Sequence, residues 1–395
     1  MRIAYITPYY PPYAKGGAEI SLKLLAQTLA ALGHKIFIFT PNYQKDDEVE
    51  RGNPTIFRIK FGKDTVFSQN NPISISYFAD KIIKTGTNFE IIDAYKWFFP
   101  AKIIAQKFKI PFICSIRDAT PICDFRVERI PKKYFFFEYF AKRFSTYGFT
   151  PRQIGNAIFG FFLTWQNLKV ISAATCATFA SSTLAEIFKK YNSCGEVINS
   201  IGLSDFKRQN IRIPGIDFVK DRVIVYAGRL SYGKGAGFLF EAAKLVIKKE
   251  PSIKFVFVGD GKLLRNISNK KYSNQVFCLG RKGHDFILSL VEKSYLAVVP
   301  SIFFEGFPRM AIESVSLGIP VIGTKVGGIP EAIGPAGDLI EPGDVNPFSN
   351  AILKICQDEK FYQKLKAKTK NQAEKFRPEI IAEKVLKIYR KVLQS

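Results

Sequence analysis

RVIVYAGRLSYGKGAGFLFEAAKLVIKK, residues 222–249, passes from a short apolar run through a glycine-rich loop into a segment with helical periodicity. The run at 223–227 is too short for a helix and is closed by glycine, which marks a buried strand. The same order opens the chain: RIAYI (2–6), then TPYYPPYAKGG, then AEISLKLLAQTLAALG ending at Gly33. Two such openings, each followed by alternating apolar strands and helices, predict an α/β chain of two Rossmann-like, doubly wound domains. Further strands are expected at KIFIFT, TIFRIK, EIIDAY, PFICSI and CATFAS in the first domain, and at IKFVFVGD, QVFCLG, LAVVPS and PVIGT in the second. The boundary is expected in the polar stretch SDFKRQNIRIPGIDFVKD (204–221), which assigns 1–204 to the first domain and 205–378 to the second.

Composition agrees with two domains, since 395 residues exceed what one core usually holds. Six cysteines lie far apart with no CxxC or Cys/His spacing, so neither a zinc site nor a disulfide framework is expected. That cysteine usage fits a reducing cytoplasm. The N-terminus carries a strand pattern instead of a signal peptide, and no apolar run is long enough to span a membrane. A net charge of +24, spread over both halves, favours an anionic partner: phosphorylated small molecules, nucleic acid or an anionic membrane surface.

In open parallel sheets, ligands bind beyond the carboxyl ends of strands, where loops and helix starts present N–H groups to phosphates. The qualifying loops are Lys15–Glu19 with Gly16 and Gly17, Gly228–Gly237, Gly259–Gly261 and Ser301–Pro308. GRLSYGKG (228–235) nearly reads as a P-loop, with Asp260 ending a Walker B-like strand, but Gly235 stands where a Ser or Thr would hold Mg²⁺. What remains is Arg229 and Lys234 at a strand end, two cations suited to a diphosphate or simply solvated on a turn.

EGFPRMAIE (305–313) sets two glutamates around a Gly-Phe-Pro turn, with seven residues between them. Pro308 suits the first helical position and Gly318 the residue past the last turn, so Glu305 is expected on the loop and Glu313 inside a helix. The amides of Gly306, Phe307, Arg309 and Met310 then lie at an open helix start. Glu305 could accept from ligand hydroxyls. Glu313 either binds a polyhydroxylated ligand or pairs with Arg309 at i, i+4 on a wet face.

PSIFFEGFPRMAIESVSLGIPVIGTKVGGIPEAIGPAGDLIEPGD (300–344) resembles the donor-binding signature of the family 4 retaining glycosyltransferases with the GT-B fold, including their E-x7-E motif. GGAE (16–19), AGRLSYGKG (227–235) and VFVGDG (256–261) extend the resemblance through both domains. It implies a hexosyltransferase-type enzyme that moves a sugar, with retention, from a nucleotide-diphosphate sugar to a hydroxyl, without a bound metal or other cofactor. Arg229 and Lys234 would then bind the diphosphate, with Gly16 and Gly17 approaching it. Glu313 would bind the ribose and Glu305 the donor sugar. The backbone of Gly228, Gly259, Gly306, Phe307, Pro308 and Arg309 would line the donor, and Gly327 and Gly328 would lie near the nucleotide. A last helix, 379–395, would cross back to the first domain.

Many relatives carry a histidine before an aspartate at the end of a first-domain strand; here Arg117 precedes Asp118. Arginine cannot act as a base. Arg117 is expected to act electrostatically with Asp118, to hold a donor sugar bearing a carboxylate, or merely to pair with an acid. Residues 131–165 hold thirteen aromatics and five Lys or Arg, against Glu138 alone. That mixture suits an anionic membrane surface, single-stranded nucleic acid, or a buried hairpin. Together with the resemblance it favours a peripheral enzyme on the cytoplasmic face of a membrane with a glycan or lipid-linked acceptor, and no nucleic acid is expected. A P-loop hydrolase would explain only Lys234 and Asp260, and a non-catalytic nucleic-acid or membrane binding module would leave Glu305 and Glu313 unused.

Overall fold

The computed structural model describes residues 1–13, 16–43, 46–61, 72–119, 121, 150–203, 205–268 and 272–394. They form two compact units, Met1–Ile201 with Pro378–Ser395, and Gly202–Arg377. Each carries one sheet, as expected of two Rossmann-like domains of the GT-B fold.

The first unit contains β1 (Arg2–Ile6), α1 (Gly17–Ala31), β2 (Lys35–Asn42), β3 (Glu48–Glu50), β4 (Thr55–Lys60), α2 (Pro72–Lys84), β5 (Ile91–Tyr95), α3 (Phe98–Phe108), β6 (Phe112–Ile116), α4 (Pro151–Ala173), β7 (Cys176–Phe179), α5 (Ser182–Phe188) and β8 (Glu196–Val197). Its strand order is β3-β4-β2-β1-β5-β6-β7-β8, parallel except for the β3 edge. Helices cover both faces of such a sheet, so its central strands read as unbroken apolar runs: all of β5 and β6 is buried.

The second unit contains β9 (Val223–Ala227), α6 (Ala236–Lys249), β10 (Lys254–Val258), α7 (Leu264–Ile267), β11 (Val276–Cys278), α8 (His284–Lys293), β12 (Leu296–Val299), α9 (Arg309–Ser316), β13 (Val321–Thr324), α10 (Ile329–Ile333), β14 (Gly337–Ile340), α11 (Val345–Gln357) and α12 (Glu359–Glu374). All six strands are parallel in the order β11-β10-β9-β12-β13-β14. In both sheets the winding reverses beside the first strand, between β1 and β5 and between β9 and β12. Those switch points are where such a fold leaves a crevice for ligands.

The last helix, α13 (Pro378–Gln394), joins the first unit. Ile381, Val385, Ile388, Tyr389 and Val392 recur at helical spacing and enter the core built on β1 and α1. The Tyr389 hydroxyl donates to Asp93 Oδ2 at 2.6 Å and meets the Tyr5 hydroxyl at 2.8 Å, so a buried carboxylate on β5 anchors the helix.

The structure departs from expectation in three places. Strands β3, β8 and β14 were not anticipated, because two to four residues carry too little periodicity to register. The units divide at Ile201 and not at 204; within the second unit Ile211 and Ile213 are buried, and the Gln209 backbone N–H donates to Ser289 Oγ at 2.8 Å. Pro308 is extended (ψ 116°) and caps α9 from outside instead of opening it.

Candidate functional site

In the second unit the loops that leave the switch point are tied to one another. Gly228 N donates to the Val258 carbonyl and Gly259 N to the Gly280 carbonyl, both at 2.9 Å, so the ends of β9, β10 and β11 form one edge. Leu230 N donates to the Asp260 carbonyl at 2.9 Å, and the Tyr226 hydroxyl donates to the Arg229 carbonyl at 2.7 Å. That leaves the Arg229 side chain exposed at the strand end. Gly235 caps α6 from the left-handed region (φ +70°), and a Cβ there would lie 1.7 Å from the Pro300 carbonyl oxygen. A Ser or Thr hydroxyl therefore has no room at the position where a P-loop needs one, which removes the hydrolase reading.

Lys234, at the end of the same loop, pairs with Glu305 Oε1, and Ser301 Oγ donates to that oxygen at 2.6 Å. Thr324 Oγ1, at the end of β13, in turn donates to the Ser301 carbonyl. Glu305 is thus held by a cation and a hydroxyl at the end of β12. Its own carbonyl accepts from Gly328 N at 2.8 Å, which seats the Gly327–Gly328 turn directly behind it. Gly327 is left-handed (φ +54°), and a Cβ there would stand 2.1 Å from the Glu305 carbonyl oxygen. Gly327→Ala is expected to destabilise by about 2–3 kcal/mol, combining backbone strain with a displaced loop. Chemical denaturation reads the loss, and a change of under about 0.5 kcal/mol would show the turn to be tolerant.

Glu313 does not lie on a wet face. Its side chain is 6% exposed and that of Arg309 8% exposed. Arg309 contacts it through Nε at 2.8 Å and through a terminal guanidinium nitrogen, and His284 Nε2, from the first turn of α8, lies 2.8 Å from the same carboxylate. Burial pushes the Glu313 carboxyl up, but the Arg309 charge and the His284 hydrogen bond outweigh it and hold the group below the usual glutamate value. Phe307 is buried against the Phe376 ring at 5.4 Å, and Gly306 and Pro308 are buried too. The Arg309 side chain therefore serves Glu313, while α9, like any helix, leaves its first N–H groups without intrahelical partners.

In the first unit, Gly16 caps α1 and Gly17 begins it. Glu19, buried in the first turn, faces Lys96 Nζ at 3.7 Å, and Lys96 reaches Asp118 at 3.1 Å. Glu19 comes from the first turn of α1, and Lys96 and Asp118 from the ends of β5 and β6. Lys96 holds a left-handed backbone (φ +70°), uncommon for a residue with a Cβ and typical of functional sites. Burial alone would lower its pKa, but Asp118 and Glu19 reverse the shift and keep it cationic. Arg117 turns inward: it is 8% exposed and donates to the Tyr95 hydroxyl at 3.1 Å and the Ile198 carbonyl at 2.9 Å. Asp118 thus takes Lys96 as an ionic partner.

Sequence reading missed His284 and Lys96, and it took Ser301 only as the start of a loop. Nothing in their local patterns marked them, since each gains meaning only from a partner on another strand end. Among the described residues no cluster of three or more His, Cys, Asp or Glu is arranged to hold a metal ion. Of the segment 131–165, residues 131–149 lie outside the described residues. The remainder begins α4, which packs on α3 and exposes Ile154, Ile158, Phe162 and Trp165 along one stripe, with Lys169 Nζ 3.5 Å from the Trp165 ring centroid. Among the described residues no helix is long and apolar enough to cross a membrane.

Two family models match the chain: Glycosyltransferase Family 4 over residues 15–191 and Glycosyl transferases group 1 over residues 207–372. An uncharacterized glycosyltransferase of Methanocaldococcus jannaschii is 32% identical over 170 residues, 42% of this chain and 47% of the relative, so the match spans about half of that protein. Sucrose-phosphate synthase from Thermosynechococcus elongatus has a similar structure, with a TM-score of 0.74 at 20% identity over 100% of this chain and 99% of that one. HepE from Anabaena, solved with UDP-glucose, has a TM-score of 0.68 at 17% identity over 99% of this chain and 100% of that one. The likeness to these two structures is one of fold.

Proposed function

We propose that this chain, a glycosyltransferase of GT-B fold, is a retaining, metal-independent family 4 enzyme that transfers a sugar from a nucleotide-diphosphate sugar to a hydroxyl acceptor. The observation that carries the reading is the second unit's switch point, where two fixed carboxylates accompany two cations and a helix start. Glu305 is held by Lys234 and Ser301, and Glu313 by Arg309 and His284. A diphosphate needs cations and N–H donors, a ribose needs a buried acceptor for its diol, and a sugar needs a second acceptor beside the leaving phosphate. Arg229, Lys234 and the amides from Gly306 to Arg309 take the first role, Glu313 the second and Glu305 the third. Gly228, Gly259, Gly327 and Gly328 let backbone approach the donor, and in the first unit Gly16 and Gly17 form a helix start of their own suited to an anion.

As the bond to the anomeric carbon breaks, negative charge grows on the diphosphate, and preset cations and amides stabilise it without reorganising. Retention follows from attack on the face that the phosphate leaves, with a phosphate oxygen taking the acceptor proton. Asp118, held by Lys96, acts in the first unit as a hydroxyl acceptor. Arg117, committed to Tyr95 and Ile198, supports that strand end electrostatically.

The acceptor is a lipid-linked or glycan precursor at the cytoplasmic face of a membrane. The exposed stripe on α4 and the excess of basic residues support that surface. Co-sedimentation with phosphatidylglycerol-containing vesicles is expected for the wild type and is expected to fall in a Phe162→Asp, Trp165→Asp variant. Unchanged pelleting would remove α4 from the membrane reading. Thermal-shift titration with UDP-, GDP- and ADP-sugars, with and without EDTA, tests the function itself. Stabilisation by one nucleotide-sugar that survives EDTA is expected, and the absence of a shift with every sugar nucleotide would overturn it.

A further inference from the structure

We infer that His284 is a positioning residue for the donor's ribose, holding Glu313 so that one carboxylate oxygen stays open to the sugar's hydroxyls. The inference rests on the ribose-binding role proposed for Glu313. An arginine beside a carboxylate ordinarily engages it as a fork, one nitrogen to each oxygen. Here Nε and a terminal nitrogen of Arg309 both converge on Oε1, and His284 Nε2 takes the same oxygen. Three bonds on Oε1 leave Oε2 as the oxygen available to a ligand.

The ionised carboxylate can only accept, so the shared proton sits on His284 Nε2. The imidazole comes from α8 and is 37% exposed, whereas Arg309 is on the same helix as its partner and buried. Arg309 supplies most of the charge compensation. His284 supplies a contact from a different direction, which stops the carboxylate from rotating into the fork. Without it, Glu313 is free to pair both oxygens with Arg309, and the hydroxyl-binding oxygen is consumed.

The test compares binding of UDP and GDP with that of their 2′,3′-dideoxy counterparts, by calorimetry, in wild type, His284→Ala, His284→Gln and Glu313→Gln. Gln places an amide N–H near the position of Nε2. Wild type is expected to prefer the ribose form of its nucleotide by about tenfold, the worth of one hydrogen bond to a charged group. That preference is expected to collapse toward parity in His284→Ala and to return in His284→Gln, with kcat for a turned-over donor changing less than KM. A preference that persists in His284→Ala overturns the inference while leaving the Glu313 reading intact. A wild type indifferent to the ribose hydroxyls, or a Glu313→Gln variant that discriminates as strongly as wild type despite the lost charge, overturns the reading on which the inference stands. Melting curves on each variant separate these outcomes from unfolding.

Discussion

Glu313→Ala is expected to unfold the second unit more easily by about 3 kcal/mol and to abolish nucleotide binding. The stability loss follows from Arg309: its guanidinium is buried and would be left without the carboxylate that compensates it. Glu313→Gln keeps the volume and one acceptor oxygen, so it separates lost charge from lost packing. The same pair predicts a pH effect. The folded-state pKa of Glu313 is depressed, so the stability from its pairing is complete above the ordinary glutamate value, about 4.3, and drains away as pH falls through the lower folded value. Wild type should therefore lose stability more steeply than Glu313→Gln below about pH 4. Urea denaturation across pH checks both, and parallel pH profiles would mean that the pairing contributes nothing net.

Lys234→Met is expected to lower kcat by about 10²- to 10³-fold, the usual cost of removing one preset electrostatic partner of a developing anion. Stability should change by less than about 1 kcal/mol, because the Lys234 side chain is 45% exposed and water screens its bond to Glu305. Glu305 keeps Ser301 as a donor, so its orientation survives the substitution. A variant with wild-type kcat and a lowered melting temperature would instead assign Lys234 to holding the loop. Glu313 and Lys234 thus report different parts of the site: a buried ion pair expected to matter for folding and an exposed cation expected to matter for turnover.

Much of this architecture was legible locally. Strands such as RIAYI, RVIVYAG and PFICSI are buried on both faces, so their apolar runs stand out without any partner, and a glycine loop followed by a periodic helix repeats for each unit. The E-x7-E spacing, the near-P-loop with glycine at 235 and the Gly327–Gly328 turn are likewise continuous in the chain. The last helix, α13, was expected from the family resemblance alone; its apolar residues at helical spacing are what enter the first unit's core.

Partnerships between strand ends were not legible. Strand order brings the loops after β1, β5 and β6 together, so Glu19, Lys96 and Asp118 meet although each is nearly eighty or fewer residues from the next along the chain. Lys96 looked like one basic residue among many until its two carboxylates and its left-handed backbone were visible. His284 opens an ordinary surface-like helix and acquires a role only because α8 lies beside α9. Arg117 reads as half of an Arg-Asp pair in sequence, yet successive residues at a strand end point in different directions, so it turns to Tyr95 while Asp118 turns to Lys96. Sequence by itself determined the two-sheet fold and the glycine loops at the carboxyl ends of its strands, because hydrophobic period and glycine placement are local properties. Tertiary structure alone decided which charges neutralise which, because an ion pair depends on the distance between loops that only the order of strands in the sheet can set.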